Sequence, residues 1–278
     1  MLDYIKNMKP ILKWAGGKRA VLNHLLENIP KKYNTYYEPF LGSGTLFFAL
    51  EPQNGVISDI NFELINFYQT LASHPDKLIF HLGLYENTKE FYYKIRKLDR
   101  TPYYKVMNPV DKAARFLYLN KTCFNGLYRV NKKGEFNVPY GNYKNPNYRD
   151  IDHIKTISDY IAGNNISIRK GDYYHTTKDV SEGDFVYLDP PYYNSYDQYT
   201  SNRFNLSNKI DYINEQVKVR RLVDNLTNKN ISVMISNSDE NFIKEIYKEY
   251  NIKVICLTRS INPKSKKRKT TELLITNY

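Results

Sequence analysis

Residues 184–188 (DFVYL) form a short apolar run that stops at Asp189-Pro190-Pro191-Tyr192. An apolar run of this length between turn residues reads as a strand buried on both faces. Two prolines in succession cannot continue it, because each fixes φ and lacks an amide donor. Strands of this kind belong to parallel sheets covered by helices. The pattern recurs along the chain. Residues 35–38 read as a short aromatic strand that ends at Pro39 and runs into Phe40-Leu41-Gly42-Ser43-Gly44, after which Thr45–Leu50 looks helical. A second strand, 55–58, ends at Asp59. Strand texture returns at 166–169 and 231–235, and 253–257 and 272–276 read as two closing strands. Helical spacing marks 17–30, about 206–228 and 239–250. The expected fold is α/β, a doubly wound and mostly parallel sheet, with ligands beyond the carboxyl ends of its strands.

Between residues 61 and 150 the texture changes. Helical stretches such as 111–121 alternate with polar loops, and 120–148 is dense in Asn, Lys, Tyr and Gly without a long periodic run. A loop-rich segment inside an α/β chain is usually functional. The domain reading is therefore a catalytic domain from residues 1–60 and 151–278 with a mainly helical insert, 61–150, carrying a β-hairpin near 124–143.

The strand ends carry the chemistry. An Asp189 carboxylate beside carbonyls freed by Pro190 and Pro191 can accept both hydrogens of an exocyclic amino group, and Tyr192 offers a flat face for its ring. The plain alternative is a turn. Gly42 and Gly44 let the backbone approach a ligand where a Cβ would clash. Asp59 stands where a carboxylate can hold ribose hydroxyls, or cap the next helix. Residues 13–18 (KWAGGK) fail as a phosphate loop. Leu12 stands where the first Gly is required, and Arg19 follows the Lys. Trp14, the sole tryptophan, fits a contact to a cofactor or base, or a place in the core.

Charge narrows the partner. Lys and Arg total 41 against 29 Asp and Glu, a net charge of +12, which attracts polyanions. The 27 tyrosines suit base stacking as well as cores. Two distant cysteines, Cys123 and Cys256, suit neither a disulfide framework nor a zinc site. With no signal-like leader and no long apolar run, a cytoplasmic protein without metal or membrane partner is expected.

Six segments in order carry a resemblance: 13–18 (KWAGGK), 38–44 (EPFLGSG), 58–61 (SDIN), 124–143 (FNGLYRVNKKGEFNVPYGNY), 189–192 (DPPY) and 235–237 (ISN). Over about residues 9–278 the chain resembles the Dam-type, D12-class (α-group) DNA adenine-N6 methyltransferases. Within them it resembles most the enzymes that methylate adenine in GATC. The resemblance implies an S-adenosylmethionine-dependent, Rossmann-like methyltransferase acting on double-stranded DNA in a prokaryote or phage, without metal. It leaves room for a cognate restriction endonuclease.

By the same resemblance Trp14, Lys18, Glu38, Phe40, Gly42, Gly44, Asp59, Asp172 and Asp189 contact S-adenosylmethionine. Asp189, Pro190 and Tyr192 receive a flipped adenine. Lys13, Phe124, Asn125, Leu127, Arg129, Pro139, Tyr143 and Lys144 meet DNA. Base chemistry agrees: a base inside a duplex cannot reach a buried methyl donor unless it flips out. Arg129 can pair with a guanine edge and Pro139 with a thymine methyl. Two departures stand out: Asn142 where some relatives have Arg, and Tyr196-Asp197-Gln198-Tyr199 where the family has Phe-Thr-x-Tyr. The basic run 264–269 (KSKKRK) reads as a solvated loop or a phosphate contact. Rival readings are transfer to cytosine N4 or RNA adenine, a silent DNA-binding relative, and a phosphotransferase.

Overall fold

The computed structural model describes residues 8–192, 209–259 and 268–278. Residues 196–199 and 264–267, singled out above, lie outside the described residues. Among the described residues there are seven strands: β1 (Tyr36–Glu38), β2 (Asn54–Asp59), β3 (Asn165–Lys170), β4 (Phe185–Leu188), β5 (Ser232–Ser238), β6 (Asn251–Arg259) and β7 (Arg268–Thr276). The chain divides into two compact units. The first comprises residues 1–17, 42–53 and 59–170, and the second 18–41, 54–58 and 171–278.

In the second unit the strands run in the order β2-β1-β4-β5-β7-β6. β2, β1, β4 and β5 are parallel, with Tyr36 opposite both Gly55 and Phe185, and Val186 opposite Val233. β7 and β6 are antiparallel additions, Asn237 standing opposite Leu273. The expected mostly parallel α/β sheet is present. β4 is buried along its whole length, as its uninterrupted apolar sequence requires. Its core joins Val186, Leu188, Val233, Ile235, Leu273 and Ile275 to Val219, Leu222, Val223 and Leu226 of the helix Lys209–Thr227. The chain leaves β1 for β2 on one side, while β4 lies on the other. β1 and β4 therefore flank the point where strand order reverses, and ligands in open α/β sheets bind at such points.

The first unit is mostly helical and contains β3. Its helices begin where the sequence supplies caps. Asn61 accepts from Glu63 N and Leu64 N at the head of Phe62–Ser73, and Thr88 accepts from Phe91 N at the head of Lys89–Arg96. Asn108 caps Pro109–Thr122, whose first residue is a proline with no amide to leave unpaired. Asp59 is not the cap; Asn61 has that role.

Near 124–143, where the hairpin is expected, the segment doubles back with two isolated antiparallel bridges, Cys123↔Tyr140 and Val130↔Phe136, in place of a continuous ladder. The reason is local. Asn125, Gly126, Gly134 and Asn142 all have positive φ, and Pro139 has no amide to donate, so a regular ladder cannot propagate. Among the described residues no helix is long and apolar enough to cross a membrane.

Candidate active site

In the second unit the carboxyl ends of β1 and β4 present Glu38 and Asp189. Lys18, on the short helical turn Lys18–Ala20, is 6% exposed. Its Nζ lies 2.9 Å from Asp189 Oδ1 and 4.7 Å from the centroid of the Tyr192 ring. The Tyr192 hydroxyl donates to Glu272 Oε2 at 3.1 Å. The structure thus brings Lys18, Asp189 and Tyr192 together and adds Glu272. Burial pushes the Asp189 carboxyl up and Glu272 pushes the same way. Lys18 opposes both, and the result is a pKa of about 6. Burial, then the two neighbouring carboxylates, also drive the Tyr192 phenol well above its ordinary value.

The turn that carries these groups is held from behind. Gln216 Nε2, in the helix Lys209–Thr227, donates to Pro191 O at 2.7 Å. Asn237 Nδ2, in β5, donates to Gln216 Oε1 at 2.8 Å. Both side chains are fully buried. Asn237 therefore acts through Gln216, a residue that no sequence motif marks. Tyr187, in β4, shares a 2.8 Å hydrogen bond with Ser236 beneath the same strand end. Pro190 is buried.

The remaining expected residues of this unit lie nearby in sequence but do different work. Glu38 is buried and accepts from the Tyr36 hydroxyl at 2.8 Å. Phe40 stacks on Tyr173, centroids 5.2 Å apart. Asp172 accepts from His175 N at 2.9 Å and caps Tyr173–Thr176. Burial pushes its carboxyl up, but the hydrogen bonds from His175 outweigh burial and hold it below the ordinary value.

In the first unit Gly42 (φ 51) and Gly44 (φ 68) are left-handed, so the glycine turn needs both. A Cβ on Gly42 would come within 2.8 Å of Trp14 Cδ1. Trp14 is half-buried, its ring 5.4 Å from Tyr128 and 6.1 Å from Phe116. Asp59 Oδ2 accepts from Gly42 N at 3.1 Å and Oδ1 from Asn61 N at 2.8 Å. The carboxylate at the end of β2 therefore braces the glycine turn.

The same unit collects the residues expected to meet DNA. Lys13 Nζ lies 4.9 Å from the centroid of Tyr143, whose hydroxyl accepts from Asn125 N at 3.0 Å. Asn125 is left-handed, and Gly126 next to it leaves room for the Lys13 side chain. Phe124 N donates to Pro139 O at 2.9 Å. Phe124 and Leu127 are large apolar side chains left 50% and 39% exposed. Asn125, Pro139 and Lys144 are exposed too. Asn87 Nδ2 donates to Tyr143 O at 2.9 Å and Lys144 O at 3.3 Å, which pins the end of the segment. Arg129 stands apart from this group. It is half-buried, and its Nε donates to Asn137 Oδ1 at 2.7 Å.

Comparison with known proteins shows the family. The model of the D12 class N6 adenine-specific DNA methyltransferases matches residues 14–261. The type II methyltransferase M1.LlaDCHI of Lactococcus lactis subsp. cremoris is 43% identical over 280 residues, covering 98% of this chain and 96% of its own. The type II methyltransferase M.MjaIII of Methanocaldococcus jannaschii is 39% identical over 297 residues, covering 98% and 99%. The DNA adenine methylase of Escherichia coli (strain K12) is 30% identical over 283 residues, covering 99% and 96%.

Proposed function

The chain belongs to the D12 class of N6 adenine-specific DNA methyltransferases, and from that premise we propose that it methylates adenine in GATC, taking the methyl group from S-adenosylmethionine. The observation that carries the reading is the set Lys18, Asp189, Tyr192 and Glu272 gathered at the carboxyl end of β4. We assign the cofactor to Trp14, Lys18, Glu38, Phe40, Gly42, Gly44, Asp59, Asp172 and Asp189. The fit rests on a turn whose Gly42 tolerates no Cβ, braced by a carboxylate at a strand end. When bound, S-adenosylmethionine supplies an electrophilic methyl group.

The protein's part is to hold the amine. The target adenine leaves the duplex, because stacked in it N6 is out of reach. Asp189 and the Pro190 carbonyl accept its two amino hydrogens, which aims the nitrogen lone pair at the methyl. Tyr192 stacks on the ring, with its hydroxyl fixed by Glu272. N6 would gain the methyl as the donor's carbon–sulfur bond breaks, and would then release one proton. Positioning in a preorganised polar site does most of the work.

The segment 61–150 is the recognition part on this reading. Lys13, Phe124, Asn125, Leu127, Arg129, Pro139, Tyr143 and Lys144 meet the duplex, with Leu127 and Asn125 filling the space the base vacates. The type II names of two relatives support a partner restriction endonuclease for the same site. The test is to express the chain in a host lacking adenine methylation and map N6-methyladenine across the DNA. Methylation confined to GATC is expected. Methylation at another sequence overturns the site, and none in a chain that binds S-adenosylmethionine overturns the activity.

A further inference from the structure

Beneath the loop 129–137 lies a group of charges that the methyl transfer does not use. Arg115, in the middle of Pro109–Thr122, is 1% exposed. Its Nη2 lies 2.7 Å from Asp99 Oδ2 and its Nη1 3.5 Å from Glu63 Oε1. Its Nε donates to Ile95 O at 3.1 Å and Nη2 to Arg96 O at 3.0 Å. Stability is a weak account of this pair. Burying two charges costs as much as their attraction returns, and an apolar pair of similar volume often does as well or better. Asp99 Oδ1 is moreover buried without a hydrogen-bond partner among the described residues.

The other Asp99 oxygen points to a different role. Oδ2 also accepts from Phe136 N at 2.7 Å. The next residue, Asn137, receives Arg129 Nε on its Oδ1 and donates its own amide to Arg129 O at 3.0 Å. A short chain of contacts therefore runs from Arg115 through Asp99 and the backbone at Phe136 to the guanidinium of Arg129. Glu63 fixes the other end: it accepts from the hydroxyl of Tyr128 at 2.7 Å, one residue before Arg129. Both approaches to Arg129 are anchored on the one buried guanidinium.

We propose that Arg115 and Asp99 are positioning residues for DNA recognition, setting the place of the loop 129–137 so that Arg129 meets a base in register. The inference rests on the reading that Arg129 contacts DNA. The pair touches no reacting atom, so it acts on discrimination between sites and on the KM for DNA, not on the methyl-transfer step.

The experiment replaces the pair with Asp99→Leu and Arg115→Met together, and in parallel makes Asp99→Asn, which keeps size and an acceptor for Phe136 N. Melting temperature, emission of the sole tryptophan, Trp14, and affinity for S-adenosylmethionine report integrity. Activity is read as kcat and KM on the duplex carrying the mapped methylation site and on each duplex with one base pair changed. The expected result for the apolar pair is a wild-type-like fold and kcat with a raised KM. Preference at one base position should fall by about tenfold. Asp99→Asn should show a smaller loss at the same position, and it carries the test if the double variant does not fold. A folded variant with unchanged KM and unchanged preference overturns the proposal. Arg129→Ala separates the two readings. If it also leaves preference unchanged, DNA reading by Arg129 fails. If it alone removes preference, only the role of Arg115 and Asp99 fails.

Discussion

Lys18 Nζ sits 2.9 Å from Asp189 Oδ1 and over the ring of Tyr192, so one buried ammonium serves both groups assigned to the target base. Even with this cation the Asp189 pKa is raised to about 6 by burial and by Glu272. The amino-hydrogen acceptor must be ionised, so kcat/KM should fall as pH drops through about 6. In Lys18→Met the opposing charge is gone, and the acidic inflection should move to higher pH. A pH–rate profile of kcat/KM from pH 5 to 9 reads it. An inflection that stays in place would mean that Lys18 does not act on Asp189.

The same shift has a sign for stability. A carboxyl whose folded pKa is raised is destabilising when ionised. Its protonated form is favoured, so relative stability is highest at low pH and is lost as pH rises through about 6. At one unit per 1.36 kcal/mol the loss is of the order of ~3 kcal/mol at most. Asp189→Asn should therefore abolish methyl transfer yet raise the melting temperature at pH 8, with a clearly smaller gain at pH 5, midway between the unfolded and folded pKa values. Equal changes at both pH values would contradict the raised pKa.

Glu272 separates charge from hydrogen bonding. Glu272→Gln keeps an acceptor for the Tyr192 hydroxyl but removes a charge that pushes Asp189 up. Its pH profile should move to lower pH with turnover largely kept. Glu272→Ala also frees the Tyr192 ring, and turnover should fall roughly tenfold or more, since base–aromatic stacking is worth ~1–3 kcal/mol. Identical profiles for wild type and Glu272→Gln would remove Glu272 from the site.

Gly42 and Asp59 are read out by cofactor binding. Asp59→Ala removes the acceptors for Gly42 N and Asn61 N along with those assigned to ribose. Each hydrogen bond to a charged group is worth ~1.5–3 kcal/mol, so affinity for S-adenosylmethionine should weaken at least tenfold while DNA affinity changes less. Gly42→Ala forces a Cβ against Trp14 at a left-handed backbone and should weaken cofactor binding and shift Trp14 emission together. Calorimetry with cofactor alone gives the first result. An unchanged dissociation constant for Asp59→Ala would reduce it to a brace for the turn.

How much of this was legible in the sequence follows from range. The strand ends at Glu38 and Asp189 were legible because the proline that follows each acts on its own backbone. Thr45–Leu50 and β4 fall where apolar spacing puts them. The antiparallel joining of β5, β7 and β6 was not, since pairing direction depends on connections that apolar runs do not encode. Glu272 and Gln216 were missed because each is an ordinary polar residue within a strand or a long helix. Their meaning appears only when β7 and the helix Lys209–Thr227 bring them to Tyr192 and Pro191. Near 124–143 the expected hairpin is represented by two isolated antiparallel bridges, with left-handed backbone at Asn125, Gly126, Gly134 and Asn142. Asp99 and Arg115 gave no sign at all, being sixteen residues apart in helical surroundings where a charge usually faces water.

Arg129 provides the sharpest test of recognition. Its Nε is occupied by Asn137 Oδ1, while Nη1 and Nη2 make no hydrogen bond or ion pair among the described residues. That leaves the two terminal nitrogens for a partner. A planar guanidinium matches the O6 and N7 acceptors of guanine, whereas a lysine offers only a point charge. Arg129→Ala should cost ~1–3 kcal/mol at one base position and relax discrimination there. Arg129→Lys should rescue overall affinity but not that discrimination. Asn137→Ala should act in the same direction more weakly, because it frees the guanidinium to swing without removing it. The measurement is methylation rate on GATC duplexes and on each single-base variant, for all four proteins. A phosphate contact would instead weaken every duplex alike, so a uniform loss in Arg129→Ala, restored by lysine, would reject base reading at this position. A loss confined to one base pair, and not restored by lysine, would identify the guanine that Arg129 reads.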